Sequence, residues 1–238
     1  GIAKHNGPLS EPTPWALAAC CEAHDLELHT HASAEAQVAA IADDVAYNHH
    51  DLHDGLRAEL FSTTELAELP ILSDCFAEVD RLYPHLNTSR RRHEALRRFF
   101  GVLVEDVIGY ARRELAALDP RSAEDIRAAG RPMIRFSDRI FTDLKVIRDF
   151  LFHRMYRAPS VVEMRVEVTG VVRDLFPHFM AHPEELPKQW RKDVEAVAGD
   201  ETALARIVCD YISGMTDRFA LQTHARVFGG TPVQRVVF

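Results

Sequence analysis

The chain has 238 residues, of which 47% are hydrophobic and 27% are charged, an ordinary composition for a globular protein. Its 28 Lys and Arg residues against 36 Asp and Glu residues give a formal net charge of −8, which disfavours binding to nucleic acid or an anionic membrane through the overall field. No apolar run approaches the roughly 18 residues that span a bilayer, and the first residues form no signal-peptide pattern. The four cysteines form no CxxC pair, which indicates neither a disulfide framework nor a zinc ribbon. We therefore expect a cytoplasmic location, no membrane partner and no strong nucleic-acid signal.

Apolar residues recur at three- and four-residue spacing along most of the chain, which is the pattern of amphipathic helices. Only 11 glycines and 12 prolines interrupt it, so the predicted fold class is all-α. Prolines and capping residues indicate where the helices begin and end. In chain order, the pattern predicts the end of a helix at 1–5 and further helices over 15–23, 33–60, 72–82, 88–118, 122–129, 137–156, 160–181, 187–197 and 201–227.

The helix predicted over residues 33–60 carries the most informative residues. Asp43, Tyr47 and Asp51 are spaced i, i+4 and i+8, so they stack along one line of its surface. A solvated acidic face is the ordinary interpretation of such a line. The alternative is a binding site, in which one carboxylate holds a hard divalent cation, the ring stacks on a ligand and the second carboxylate accepts a hydroxyl group. The pattern itself leaves both interpretations open.

Two further groups of residues bear on a binding function. His49, His50 and His53 add metal-ligating side chains to the same helix, although the sequence has no HExxH motif. A basic run within residues 90–98 is either an ordinary helix surface or a contact for an anion such as phosphate. The absence of GxxxxGK[ST], GxGxxG and GxSxG motifs from the sequence disfavours P-loop, Rossmann and α/β-hydrolase functions.

Four segments of the sequence combine into a family pattern. They are Lys-His-Asn-Gly-Pro-Leu at 4–9, the stretch at 32–51, Asp-Gly-Leu-Arg at 54–57, and Asp-Tyr-Ile-Ser-Gly-Met-Thr-Asp-Arg-Phe-Ala at 210–220. Together these segments resemble the bacterial deoxyguanosinetriphosphate triphosphohydrolase-like proteins, members of the HD-domain superfamily of metal-dependent phosphohydrolases. The second and fourth segments are long and specific, and the resemblance runs from residue 4 to about residue 228.

The resemblance implies an all-helical homo-oligomer, a tetramer or hexamer, that hydrolyses a deoxynucleoside triphosphate such as dGTP. The products are the deoxynucleoside and inorganic triphosphate, and the implied cofactor is a divalent metal ion, Mg²⁺ or Mn²⁺. By the family's spacing, Asp43 is the metal ligand, Tyr47 the platform for the deoxyribose and Asp51 the acceptor of the 3′-hydroxyl group. The resemblance implies three further substrate-binding residues, namely Lys4 at the triphosphate, Arg92 and His93.

The family's first histidine and its His-Asp dyad precede the Lys-His-Asn-Gly-Pro block, in a segment that this chain does not contain. No catalytic residue is therefore assigned, and the chain is expected to be the C-terminal part of such a protein with only part of the metal site. Residues 1–60 are then the end of the HD phosphohydrolase core, 61–228 a helical region packed on it and 229–238 a tail. Two other functions stay open: a non-catalytic nucleotide-binding or assembly module, and an HD-type phosphohydrolase for another nucleotide.

Overall fold

The computed structural model describes residues 2–229, which form helices, turns and loops and no strand. This confirms the all-α prediction. The chain forms two compact units, of which the first ends at Ala158 and the second begins at Pro159. The division after residue 60 that the resemblance implies stays a prediction. Apart from Gly229, the predicted tail lies outside the described residues.

The described helices vary from single turns to the 31-residue helix α5. Those of the first unit are α1 (Trp15–Ala23), α2 (Ala34–Arg57), α3 (Thr63–Leu66), α4 (Leu72–Leu82), α5 (Thr88–Leu118), α6 (Ala123–Arg127) and α7 (Asp138–Leu151), which continues into a π-helical turn at Phe152–Tyr156. Those of the second unit are α8 (Pro159–Ala181), a 3-10 turn (Pro183–Glu185), α9 (Lys188–Ala196), α10 (Glu201–Ser213) and α11 (Asp217–Phe228).

Side-chain caps explain why several helices begin where the sequence predicts. Asn87 accepts a hydrogen bond from the backbone N–H of Arg90 at 2.9 Å and begins α5. Ser137 accepts one from the backbone N–H of Ile140 at 3.4 Å and begins α7. Each bond satisfies an N–H group that the first helical turn leaves without a partner. The predictions for 15–23 and 72–82 are confirmed at both ends.

Three of the predicted helical segments differ from the structure. Residues 3–6 form turns rather than the end of a helix. The predicted helix over 201–227 is interrupted, because the Thr216 side chain accepts a hydrogen bond from the backbone N–H of Phe219 at 3.3 Å and starts a new helix there. The apolar period continues across the break, so periodicity alone does not reveal it.

The predicted helix over 137–156 is also divided. Its α-helical part ends at Leu151, and the residues that follow form the π-helical turn. Such turns are rare in proteins and are frequent at functional sites, because the extra residue changes the direction of the side chains. In this chain the turn brings Tyr156 against α2, as described below.

The core of the first unit lies among α2, α4, α5 and α7. Leu52, Phe76, Phe99 and Ile147, one from each of these helices, are at most 1% exposed. Burying a side chain of this size contributes roughly 1.5–3 kcal/mol. Because α2 packs against both α5 and α7, its orientation is fixed on two sides.

Gly55 lies on the buried side of α2, where an added methyl group would overlap the ring of Phe61. Phe61 is buried and packs edge-to-face on Phe150 at 5.1 Å between ring centroids, so its ring is not free to move aside. We expect Gly55→Ala to lower the free energy of unfolding by about 1–3 kcal/mol, as measured by urea unfolding.

Gly101 on α5 provides the matched control, since an added methyl group there meets no described atom within 4 Å. Alanine is the better helix former, so Gly101→Ala should be neutral or stabilising by up to about 1 kcal/mol. Equal losses of stability in the two variants would contradict the close contact between Gly55 and Phe61.

The core of the second unit lies where α8, α10 and α11 pack together. Leu175, Phe179 and Val208 are completely buried, and the rings of Phe179 and Tyr211 pack edge-to-face at 5.3 Å. None of the helices within the described residues is long and apolar enough to cross a membrane.

Candidate functional site

The line of Asp43, Tyr47 and Asp51 lies on one continuous helix, α2. Asp43 is exposed, Tyr47 is 53% exposed and Asp51 is half-buried. A rise of 1.5 Å per residue separates the two carboxylates by about 12 Å along the helix axis. An accessible aromatic ring therefore stands between an exposed carboxylate and a half-buried one.

Tyr156, which the sequence analysis missed, contacts this part of α2 from the π-helical turn. Its hydroxyl group donates a hydrogen bond to the Asp51 carboxylate and lies 2.8 Å from the Tyr47 hydroxyl group. A hydroxyl group has one proton, so the proton between the two tyrosines comes from Tyr47. The three side chains form a chain of hydrogen bonds from Tyr47 through Tyr156 to Asp51. No motif could have revealed this contact, because Tyr156 and Asp51 are 105 positions apart.

The environment of Tyr156 keeps its phenol group neutral. Burial raises the pKa of Tyr156 well above its usual range, and the hydrogen bond to the Asp51 carboxylate raises it further. Tyr156 therefore stays a hydrogen-bond donor across the physiological pH range. The carboxylate of Asp51 has about four acceptor positions, so it can still accept a hydroxyl group from a ligand.

A second set of contacts fixes α7 against α2. Asn48 is completely buried, and its side-chain amide donates to the backbone carbonyl of Asp44 at 2.6 Å. Its amide oxygen accepts a hydrogen bond from Arg148 at 3.2 Å, and Arg148 lies 3.6 Å from the Asp44 carboxylate. Arg148 and Tyr156 belong to consecutive segments of the chain, and both bind side chains of α2.

Lys4 is buried against a loop of the first unit. Its ammonium group donates to the backbone carbonyl of Glu27 at 3.0 Å and to the Thr30 hydroxyl group at 2.9 Å. Burial lowers the pKa of Lys4, and the charge of Arg127 lowers it further. The implied contact with a triphosphate stays a prediction, and it would require Lys4 to exchange these two acceptors for phosphate oxygens.

The basic run on α5 is largely neutralised by acidic side chains. Arg91 binds the Asp80 carboxylate at 2.5 and 2.7 Å. Arg97 and Arg98 both bind Glu94. The hydrogen bond from Arg97 lowers the pKa of the Glu94 carboxyl most, and the one from Arg98 lowers it further, to about 2. The run therefore does not present a continuous free positive surface to an anion.

Arg92 and His93 lie side by side on α5, in different surroundings. The Nε atom of Arg92 is buried, and no hydrogen-bond partner for it is found within the described part of the chain. His93 is exposed, and its ring lies 5.2 Å from that of His53 on α2. The structure thus brings His93 to α2, and the substrate-binding roles of both residues stay predictions.

Asp43 is the residue predicted to hold a metal ion. Carboxylate oxygens are the ligands that Mg²⁺ and Mn²⁺ prefer, and Asp43 is exposed on the site surface. Within residues 2–229, no three His, Cys, Asp or Glu side chains are arranged to hold a metal ion. Asp43 therefore fits as one ligand, and the remaining ligands have to be water or groups outside the described residues.

Comparison with known proteins finds similarity to one family of domains and to one group of curated proteins. Residues 134–226 of this all-α chain match the family described as the phosphohydrolase-associated domain. Over nearly its whole length, the chain is a homologue of curated proteins named deoxyguanosinetriphosphate triphosphohydrolase-like protein. This confirms the resemblance drawn from the sequence.

Three relatives illustrate the range of similarity. The protein of Roseobacter denitrificans is 75% identical over 97% of this chain and 59% of its own length. That of Jannaschia sp. is 74% identical over 97% of this chain and 58% of its own. That of Rhizobium etli is 46% identical over 98% of this chain and 59% of its own. The chain therefore spans about three fifths of the length of the curated relatives that it matches.

Proposed function

We propose that the protein containing this chain hydrolyses deoxynucleoside triphosphates, with dGTP as the model substrate, to deoxynucleoside and inorganic triphosphate. The observation that carries the proposal is the hydrogen-bonded set of Tyr47, Tyr156 and Asp51, in which the ring of Tyr47 is exposed. The names of the relatives support the reaction class. The proposal includes a divalent cofactor, Mg²⁺ or Mn²⁺, and a homo-oligomeric assembly, a tetramer or a hexamer.

The order of side chains along α2 matches the order of groups in the proposed substrate. Asp51 would accept the 3′-hydroxyl group, Tyr47 would pack on the deoxyribose ring and Asp43 would lie toward the phosphates. The spacing of about 12 Å along the axis allows side chains from three turns to contact one nucleotide. Tyr156 is a positioning residue in this arrangement, since it holds Tyr47 and Asp51 in fixed orientations before the substrate binds.

The phosphate end depends on groups of two kinds. Asp43 would hold a divalent cation, which supplies charge neutralisation at the phosphates when it is bound. Lys4, Arg92 and His93 would add hydrogen-bond donors for phosphate oxygens. These donors would orient the triphosphate and stabilise the negative charge that leaves with it.

The test is the identity of the phosphorus products. The full-length protein is incubated with dGTP and Mg²⁺ or Mn²⁺, and ³¹P NMR follows the reaction. Intact inorganic triphosphate together with deoxyguanosine is the expected result. Orthophosphate or pyrophosphate as the first product would instead favour another HD-type nucleotide phosphohydrolase. Thermal stabilisation by dGTP without its consumption would favour the non-catalytic binding module.

A further inference from the structure

The N-terminal half of α8 is apolar on all sides of the helix. Residues 159–172 include six valines, and Val171 is the only one of the six that is buried. Val166 is 69% exposed, more than any other large apolar side chain described in the second unit. A helix that is apolar on all sides is normally covered by other protein. This half of α8 therefore has the composition of a contact surface.

The exposed side of α8 lies opposite the core of the second unit. Leu175 and Phe179 of α8 are part of that core. Each helical residue advances by about 100°, so Leu175 lies about 180° round the helix from Val166. The residues that share the side of Val166 form the outer face of α8, which consists of Val162, Glu163, Val166, Gly170 and Arg173. They fall within about 100° of the circumference, so a second helix can contact all of them.

The two charged residues of the outer face favour one orientation of a second copy of α8. Glu163 and Arg173 are both exposed, and neither takes part in an ion pair within the described residues. In a parallel pair of helices, each of these charges would lie opposite the same charge of the second copy, which is unfavourable. In an antiparallel pair about a two-fold axis, Glu163 of each copy lies level with Arg173 of the other.

The apolar residues of the outer face fit the same antiparallel register. Glu163 and Arg173 have Val168 as their midpoint along the helix, and so do Val166 and Gly170. The axis that pairs the charges therefore also sets Val166 level with Gly170 of the second copy. A methyl group added at Gly170 would meet no described atom within 4 Å, so the space above this glycine is open. A projecting side chain opposite an open position is the arrangement in which helices pack closely.

A groove between α8 and α11 adjoins the outer face and has a volume of about 570 Å³. Arg173 lines it together with Val168, Val172 and Leu221. Side chains of a second copy can enter this groove, which extends the contact beyond the two helices. Specific interfaces bury about 800 Å² on each partner, so such an extension adds to the area that a stable contact needs.

We propose that the outer face of α8 is a contact between two copies of the protein, packed antiparallel about a two-fold axis level with Val168. The contact rests on the homo-oligomeric assembly that the proposed function includes, and it names the surface that forms this assembly. A two-fold contact uses the same residues on both copies. Each contact therefore contains two pairs of Glu163 with Arg173 and two pairs of Val166 with Gly170.

Reversal of one charge tests the contact in the full-length protein. Glu163→Arg sets two arginines of each copy against two of the other, and Arg173→Glu does the same with glutamates. Like charges in contact weaken association strongly, so each variant should dissociate at a concentration at least about tenfold higher than the unchanged protein. The molar mass is measured by light scattering after gel filtration, over a dilution series. Loss of a two-fold contact should leave half the mass, whether the unchanged protein is a tetramer or a hexamer.

Mixing the two variants shows whether the pairs form between copies. Glu163→Arg and Arg173→Glu combined in equal amounts should recover the mass of the unchanged protein, because every arginine then lies opposite a glutamate. The double variant with both changes should recover it as well. Glu195→Arg is the matched control, since Glu195 is exposed on α9 and lies outside the outer face. It should assemble normally. Circular dichroism verifies that all variants are folded.

The outcomes distinguish failure of this contact from failure of the proposed function. Folded single variants that keep the full mass at every dilution would overturn the contact and leave the homo-oligomer standing. Dissociation that is restored neither by mixing nor in the double variant would also overturn it, because the pairing of Glu163 with Arg173 would then be absent. An unchanged protein that is monomeric throughout would overturn both the contact and the homo-oligomer. The ³¹P NMR assay of hydrolysis is independent of all three results.

Discussion

Asp43→Ala in the full-length protein should reduce the rate of dGTP hydrolysis by at least about two to three orders of magnitude. Asp43 is the exposed carboxylate at the proposed phosphate end of the α2 line. No second carboxylate or imidazole set among the described residues is arranged to take over a metal ion. The measurement is kcat/KM for release of inorganic triphosphate at saturating Mg²⁺ or Mn²⁺.

Glu35→Ala is the matched control for this variant. Glu35 is an exposed carboxylate in the first turn of the same helix, so the change removes an equal charge from α2. Its loss should cost only about 0.3–1 kcal/mol of helix stability and leave hydrolysis unchanged. Near-normal turnover of Asp43→Ala with either metal would show that Asp43 does not act in the reaction.

The parts of the fold that sequence predicts are those fixed by local chemistry. Pro84, which lacks an N–H group, marks the end of α4, and Asn87 marks the beginning of α5 through a side-chain cap. Both positions lie close to those that the sequence predicts. The break before Asp217 and the π-helical turn at Phe152–Tyr156 were missed, because the apolar spacing continues through both.

The same distinction separates the predictable and unpredictable parts of the site. Asp43, Tyr47 and Asp51 lie within nine residues of one helix, so helical geometry alone places them together. Tyr156 reaches them only through packing of α7 on α2, which no local pattern encodes. The surroundings of Lys4 could not be predicted either, because its burial against the Glu27 carbonyl depends on a loop whose path the sequence does not specify.

Asp51→Ala should reduce the preference for dGTP over 2′,3′-dideoxyGTP by about 10- to 100-fold, measured as the ratio of kcat/KM values. A hydrogen bond to a charged group contributes about 1.5–3 kcal/mol, and each 1.36 kcal/mol corresponds to a factor of ten in rate. The dideoxy analogue has no 3′-hydroxyl group, so it loses nothing when the carboxylate is removed. The change should therefore affect dGTP far more than the analogue.

Tyr156→Phe separates the carboxylate itself from the residue that positions it. The phenylalanine ring fills the same space, but Asp51 and Tyr47 lose the hydroxyl group that joins them. We expect a smaller loss of the dGTP preference than in Asp51→Ala, because the acceptor stays present but is less well oriented.

Asp51→Asn keeps one acceptor oxygen without the charge, so its preference for dGTP should fall between that of the wild type and that of Asp51→Ala. An unchanged ratio of dGTP to 2′,3′-dideoxyGTP turnover in Asp51→Ala, in protein shown to be folded by thermal unfolding, would rule out Asp51 as the acceptor of the 3′-hydroxyl group.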